Sequence, residues 1–276
     1  MGSGIAQITA SAKMNVFVVD SNAEALNKAQ KSIEKSLQRV AKKRHADDSA
    51  AQAKLVAETL SRVKTSTKVS DAVRDADLVI EAIVENIDAK KKLFAEIEKA
   101  ARSDAILASN TSSLRLMDIA VDLKNKPRFV GLHFFNPAPI MQLLEVIRHP
   151  LTSEKTFEEM LDYGKEIGKV TVKCKDTPGF IVNRLLIPYM MEALRLYERG
   201  DASKEDIDVA MKLGAGYKMG PFELADYVGL DTVQFIIEGW SKTYPEEPAF
   251  RQSRLLQELV CAGKLGRKSG EGFYKY

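Results

Sequence analysis

Residues Gly131-Leu132-His133-Phe134-Phe135-Asn136-Pro137-Ala138-Pro139-Ile140-Met141-Gln142-Leu143-Leu144-Glu145-Val146-Ile147 decide how the chain is read. Two apolar runs, each long enough for a buried strand, flank a reversal that carries Pro137 and Pro139. Proline cannot donate to a strand ladder, so the two prolines place the turn here. His133 and Glu145 are equidistant from residue 139. If the runs fold back on each other, these side chains become cross-strand neighbours, roughly 5 Å apart at Cβ. Such a pair is either an oriented base or a core histidine satisfied by a nearby acid.

Working back from this stretch, Ala105–Ala108 reads as a strand that ends at Ser109-Asn110-Thr111-Ser112-Ser113. Small polar residues at the carboxyl end of a buried strand sit where open α/β sheets bind ligands, although they would equally serve as a capping loop. Asp77–Val84 is an unbroken apolar strand, followed by Glu85-Asn86 and a helix over 88–101. At the start, apolar spacing at Ile5, Ile8 and Ala12 suits a short helix opened by Gly2 and Gly4. The strand Asn15–Asp20 follows, its terminal acid about 18 residues after the first glycine. This is the back half of a dinucleotide fingerprint, in which glycines wrap a pyrophosphate at a helix N-terminus and the acid holds a ribose. Taken alone, Asp20 could simply cap the next helix.

Residues 21–63 form a long, mostly helical excursion ending its first part in the basic cluster Lys42-Lys43-Arg44. Beyond the reversal, Lys169–Lys175 is a last strand. Alternating strands and helices give a Rossmann-like, doubly wound, mostly parallel sheet. After Asp176-Thr177-Pro178-Gly179 the pattern becomes all-α, with a long helix over 180–199, a kink expected at Pro188, and a capping-box pattern at Ser203–Asp206. The expected domains are residues 1–176 and 177–276.

Composition narrows the function classes. The net charge of +3 is too small to argue for nucleic acid, and no apolar run approaches the ~18 residues of a membrane span. Two isolated cysteines make neither a disulfide framework nor a metal site, which fits a reduced compartment. Apolar faces in the helical half exceed what it needs for itself and hint at dimerisation.

Four motifs in order carry a resemblance: Ser109–Ser113; His133-Phe134-Phe135-Asn136-Pro137; Lys175-Asp176-Thr177-Pro178-Gly179-Phe180-Ile181-Val182-Asn183-Arg184; and Gly220-Pro221-Phe222-Glu223. Together they resemble the L-3-hydroxyacyl-CoA dehydrogenases of fatty-acid β-oxidation, from Met1 to Tyr276. The resemblance implies His133 as general base oriented by Glu145, Ser112 bonding the substrate oxygen, and Asn183 reaching toward the catalytic pair from the second domain. It implies NAD contacts at Gly2, Asp20, Glu85, Lys90, Ser112, Asn136 and Lys268, and CoA contacts at Ser36 and Lys43. The acid at Asp20, with no nearby arginine in its place, favours NAD over NADP. It further implies a 3-hydroxyacyl-CoA or acetoacetyl-CoA substrate, a homodimer and the mitochondrial matrix.

The family pattern opens with a strand and Gly-x-Gly-x-Met-Gly, and this sequence starts at that Met-Gly. Without the central strand, its neighbours are expected to lose a shared partner, and the chain as it stands is expected to bind NAD weakly. An internal methionine of a longer protein and a genuinely shortened chain both remain open. Two other functions stay in play: a hydroxy-acid or sugar-acid dehydrogenase of the same fold, and a truncated, non-catalytic dimerising product.

Overall fold

The computed structural model describes all 276 residues, which divide into two compact units, Met1–Phe180 and Ile181–Tyr276.

The first unit begins with helix α1 (Gly2–Ser11) and strand β1 (Val16–Val19). A helical hairpin follows, α2 (Ala23–Arg44) and α3 (Ser49–Leu60), then β2 (Val63–Ser66) and α4 (Val69–Val73). The side chains of Asn22 and Asp48 cap the hairpin helices by accepting from Glu24 N and Ala51 N. Next come β3 (Leu78–Glu81), α5 (Ile87–Ala100), β4 (Ile106–Ser109), α6 (Leu116–Ile119) and β5 (Phe129–Phe134). The unit closes with β6 (Leu143–Arg148), α7 (Glu154–Glu166) and β7 (Val170–Lys175).

The strands form two sheets. β1 pairs with β2 in parallel, and the larger sheet has the order β3-β4-β5-β6-β7. β3, β4 and β5 are parallel, β6 runs antiparallel to β5, and β7 is parallel to β6. β1 and β3 are thus each paired on one edge only. The 21–63 excursion is mostly helical, as read, and β2, a strand the sequence reading did not place, starts where it ends: Val63-Lys64-Thr65-Ser66 pairs in register with Val16–Val19.

Side-chain alternation along each strand separates two cores on opposite faces of the larger sheet. Ile106, Ala108, Val130, Leu132, Leu144 and Val146 pack with Ile5 of α1 and with Phe157, Met160 and Leu161 of α7. Leu107, Phe129 and Ile147 point the other way, onto Phe94 and Ile97 of α5 and Leu116 and Ile119 of α6. α7 lies close to the sheet because Gly164 lacks a side chain: a Cβ there would stand 2.2 Å from Thr171 Cγ2 and 2.9 Å from Leu144 Cδ2.

The second unit is all-α: α8 (Val182–Glu198), α9 (Lys204–Gly214), α10 (Pro221–Val228), α11 (Leu230–Thr243) and α12 (Arg254–Cys261). α8 continues through Pro188. Ser203 Oγ accepts from Asp206 N at 3.0 Å, while the Asp206 carboxylate takes the Ser203 hydroxyl at 2.6 Å, so the return bond of a capping box is absent there. The core gathers Met190, Met191, Leu194, Phe222, Ile237, Trp240 and Phe250. The C-terminal segment is anchored by buried Asp226, which accepts from Phe273 N and Tyr274 N at 2.9 Å each and from the Tyr276 hydroxyl at 3.0 Å. No helix is long and apolar enough to cross a membrane.

Candidate active site

β5 and β6 pair in the register Gly131↔Ile147, Leu132↔Val146, His133↔Glu145, Phe134↔Leu144. Opposed residues of paired strands share a face. His133 Nδ1 lies 2.6 Å from Glu145 Oε2, with His133 3% exposed and Glu145 0%. A carboxylate can only accept, so the shared proton sits on Nδ1 and leaves Nε2 as the basic nitrogen. The imidazole is boxed by Phe135 and Phe180, with ring centroids at 4.5 and 5.5 Å.

The reversal is pinned from the side. Lys169, just before β7, is buried, and its ammonium donates to the carbonyls of Ala138 and of Met141, the latter at 2.5 Å. Burial pushes the Lys169 pKa down. The Asn136–Pro137 bond in this turn is cis. The turn also meets α1: a Cβ on Gly4 would lie 3.1 Å from Pro139 Cδ and 3.2 Å from Ala138 Cβ, so a larger residue would need the turn to give by a few tenths of an ångström.

The register Glu81↔Ser109↔Gly131 puts the carboxyl ends of β3, β4 and β5 at one edge. There Asn110 Oδ1 accepts from Phe134 N at 2.9 Å, tying the polar loop to the histidine strand. Glu85 organises that loop, its Oε1 accepting from Thr111 Oγ1 (2.5 Å), Ser112 N (2.9 Å), Ser113 N and Ser113 Oγ (both 3.1 Å). Burial pushes the Glu85 pKa up, but the Thr111 hydrogen bond, the Lys90 charge and the Ser112 amide outweigh it and hold the carboxyl below its usual range. The resemblance places Lys90 against the cofactor. In the fold its ammonium is enclosed, 2.7 Å from Glu81 Oε1 and 3.2 Å from Glu85 Oε2, with the residue 1% exposed. The sequence places Ser109 and Asn110 in the polar loop but gives Glu81 no role, because the apolar run over Asp77–Val84 reads as one buried strand; β3 ends at Glu81, and Ile83 and Val84 beyond it are exposed.

The N-terminus of α1 opens beside the same edge. A Cβ on Gly2 would lie 4.0 Å from Ala82 Cβ, no side chain caps the helix, and its first turn carries no acid. Uncapped amides and a positive helix end suit a pyrophosphate. Exposed Asp20 follows β1, and its Oδ1 accepts from Asn22 N at 2.9 Å; the helix cap itself is Asn22. These residues fit a dinucleotide. Asn136 is exposed in the turn. Ser36, half-buried, and Lys43, exposed, lie on α2 and take no part in the cluster around His133. Neither lines the 710 Å³ groove beside α1, which Val40, Arg44, Lys13, Lys54 and Arg62 border. In the helical unit, Asn183 is in the first turn of α8, and Lys268 donates to Asp231 Oδ2 at 2.6 Å.

Comparison with known proteins shows the family. Residues 1–177 match the family described as 3-hydroxyacyl-CoA dehydrogenase, NAD binding domain, and residues 179–276 match its C-terminal domain. The chain belongs to the 3-hydroxyacyl-CoA dehydrogenase family. It is 70% identical over 276 residues to a probable 3-hydroxyacyl-CoA dehydrogenase of Caenorhabditis elegans, covering all of this chain and 89% of that one. It is 56% identical to the human mitochondrial hydroxyacyl-coenzyme A dehydrogenase, covering all of this chain and 88% of the relative. Among solved structures, (S)-3-hydroxybutyryl-CoA dehydrogenase from Ralstonia eutropha superposes with a TM-score of 0.93 at 40% identity, covering 100% of this chain and 95% of that one. Membership makes the protein an oxidoreductase with an NAD-binding domain. The Rossmann-like sheet followed by a helical domain is the fold of these dehydrogenases.

Proposed function

We infer that the protein oxidises (S)-3-hydroxyacyl-CoA to 3-oxoacyl-CoA with NAD as the oxidant. The His133–Glu145 pair carries this reading. With Nδ1 committed to Glu145, Nε2 takes the proton of the C3 hydroxyl. Glu145 fixes the ring orientation and stabilises the imidazolium that forms, as a triad carboxylate does. Bound NAD would supply the acceptor for the hydride that leaves C3. Ser112, held by its amide on Glu85, is the hydrogen-bond partner of the substrate oxygen. Phe135 and Phe180 beside the imidazole keep bulk water from the transferring proton.

We assign the cofactor contacts implied by the resemblance to Gly2 at the helix N-terminus for the pyrophosphate, Asp20 for the ribose, Glu85, which holds the Ser112 amide, and Asn136 in the turn. Lys90 contributes by holding Glu85. From the helical unit, the family resemblance contributes Asn183 for the substrate and Lys268 for the cofactor. Ser36 and Lys43 on α2 bind the CoA nucleotide, and the basic side chains of the neighbouring groove support an anionic ligand on this side of the helical hairpin.

The assembly is a homodimer formed through the helical unit, where Leu185, Leu213 and Phe235 are 69%, 83% and 56% exposed. We assign the protein to the mitochondrial matrix, a reading supported by the word mitochondrial in the names of the human and rat relatives.

Turnover of NADH with acetoacetyl-CoA, set against free acetoacetate, tests the reading. Reduction of the thioester and not of the free acid is expected. Reduction of the free acid alone would overturn it.

A further inference from the structure

The proposed chemistry uses His133, Glu145 and Ser112 but gives no role to a second fully buried carboxylate at the same edge. Glu81, the last residue of β3, has a side chain with no exposed surface, and three donors converge on it. Ile83 N and Lys90 Nζ each lie 2.7 Å from Oε1, and Ser109 Oγ lies 2.6 Å from Oε2. A carboxylate taken this far from water persists only when paired and fully hydrogen-bonded, and this one is both.

Two carboxylates divide the loop between them. Glu81 holds Ser109, where β4 ends, and Glu85 holds Thr111, Ser112 and Ser113. Lys90, with an ammonium unable to reach solvent, bridges the two carboxylates. Both ends of the loop are therefore fastened to a single buried cation. Ser109 Oγ also accepts from Thr111 N at 3.2 Å, so the Glu81 bond fixes the turn that leads to Ser112.

We propose that Glu81, acting through Ser109 and Lys90, is a positioning residue that sets the place of Ser112 in the dehydrogenase reaction. The proposal rests on the reading of Ser112 as the partner of the substrate oxygen. Glu81→Gln keeps the shape and one acceptor oxygen while removing the charge and the second acceptor. Lys90 then loses its nearer counter-ion, and either Ser109 or Lys90 faces an amide group that cannot accept. A displacement of about 1 Å at a positioned group costs on the order of 10²-fold in rate, so a fall in kcat of about 10- to 100-fold with acetoacetyl-CoA is expected.

The deciding experiment is a double-mutant cycle in kcat/KM with Ser112→Ala. If Glu81 works through Ser112, then Glu81→Gln/Ser112→Ala is no slower than Ser112→Ala alone. Losses that multiply overturn the proposal, because a general loosening of the fold would slow both backgrounds equally. Ser109→Ala repeats the cycle without altering any charge and serves in place of Glu81→Gln if that variant does not fold. It is expected to show the same non-additivity. Full activity of Ser112→Ala would overturn the reading of Ser112 and the proposal together, whereas a slow Ser112→Ala with multiplying losses overturns the proposal alone.

Discussion

His133 Nδ1 and Glu145 Oε2 stand 2.6 Å apart across two antiparallel strands, at positions directly opposed in the β5–β6 register. Strand pairing thus sets this contact before any loop does. His133→Gln removes the basic nitrogen and is expected to lower kcat by about 10²-fold or more while leaving the NADH dissociation constant within about threefold. Glu145→Gln keeps the shape but loses the charge opposite the imidazolium, and a comparable fall in kcat is expected. Stopped-flow NADH oxidation and calorimetric NADH titration read the two quantities. Retained turnover in His133→Gln would remove His133 from the mechanism.

Acid sensitivity centres on a different histidine. His149 is 1% exposed, accepts from Leu151 N on Nδ1, and has an Nε2 with no partner. Burial pushes its pKa below the ordinary 6.5 and outweighs the opposing pull of Asp176 and of the Lys126 and Phe129 backbone. The folded chain therefore carries it neutral while the unfolded chain protonates it. Stability is full above pH 6.5 and is lost as the pH falls from there toward the depressed folded pKa. His149→Asn, which can keep the acceptor for Leu151, is expected to flatten this part of the pH–Tm profile. An unchanged profile would show that other groups carry the acid response.

Gly164 tests how closely α7 seats on the sheet. A Cβ 2.2 Å from Thr171 Cγ2 forces a shift, and Gly164→Ala is expected to cost about 1–3 kcal/mol. Thr171→Ser, by deleting the clashing methyl, should recover part of the loss. Thermal melts of the single and double variants check both outcomes.

In the helical unit, Asp226→Ala leaves the amides of Phe273 and Tyr274 without their buried acceptor, at a cost of about 2–5 kcal/mol. Tyr276→Phe removes only a hydroxyl from the same carboxylate and should cost about 1 kcal/mol or less. Limited proteolysis near Gly270 is expected to speed up strongly in the first variant and little in the second.

These sites differ in how far the sequence announces them. Pro137 and Pro139 mark the reversal, and the equal spacing of His133 and Glu145 about residue 139 follows from strand geometry alone. Glycine spacing and the terminal acid mark α1 and β1. β2 escaped because Val63-Lys64-Thr65-Ser66 is short and mostly polar; its partner β1 and the helices beside it hold it extended. Lys90 is named as a cofactor contact by the resemblance alone, and nothing local to it in the sequence marks its pairing, since lysines on helices are normally solvated. Only the tertiary placement of Glu81, nine residues earlier on another element, shows where its charge goes. The Asp226 anchor was equally hidden, since its partners are backbone amides 47 and 48 residues away.

The lysine clamp on the reversal has a consequence for how the segment can vary. Lys169 grips carbonyls at residues 138 and 141, and the first turn of α1 packs closely against residues 138 and 139. Side chains alternate along β6, so one residue added between His133 and Glu145 would turn the carboxylate to the opposite core and bring a hydrophobic neighbour under the imidazole. The segment can therefore exchange residues at exposed positions such as Ile140 while its length stays fixed. Insertions and deletions are expected to be tolerated in the Ala46–Asp48 bend of the helical hairpin and excluded from residues 135–142, a contrast that a scanning library of single-codon insertions would display directly.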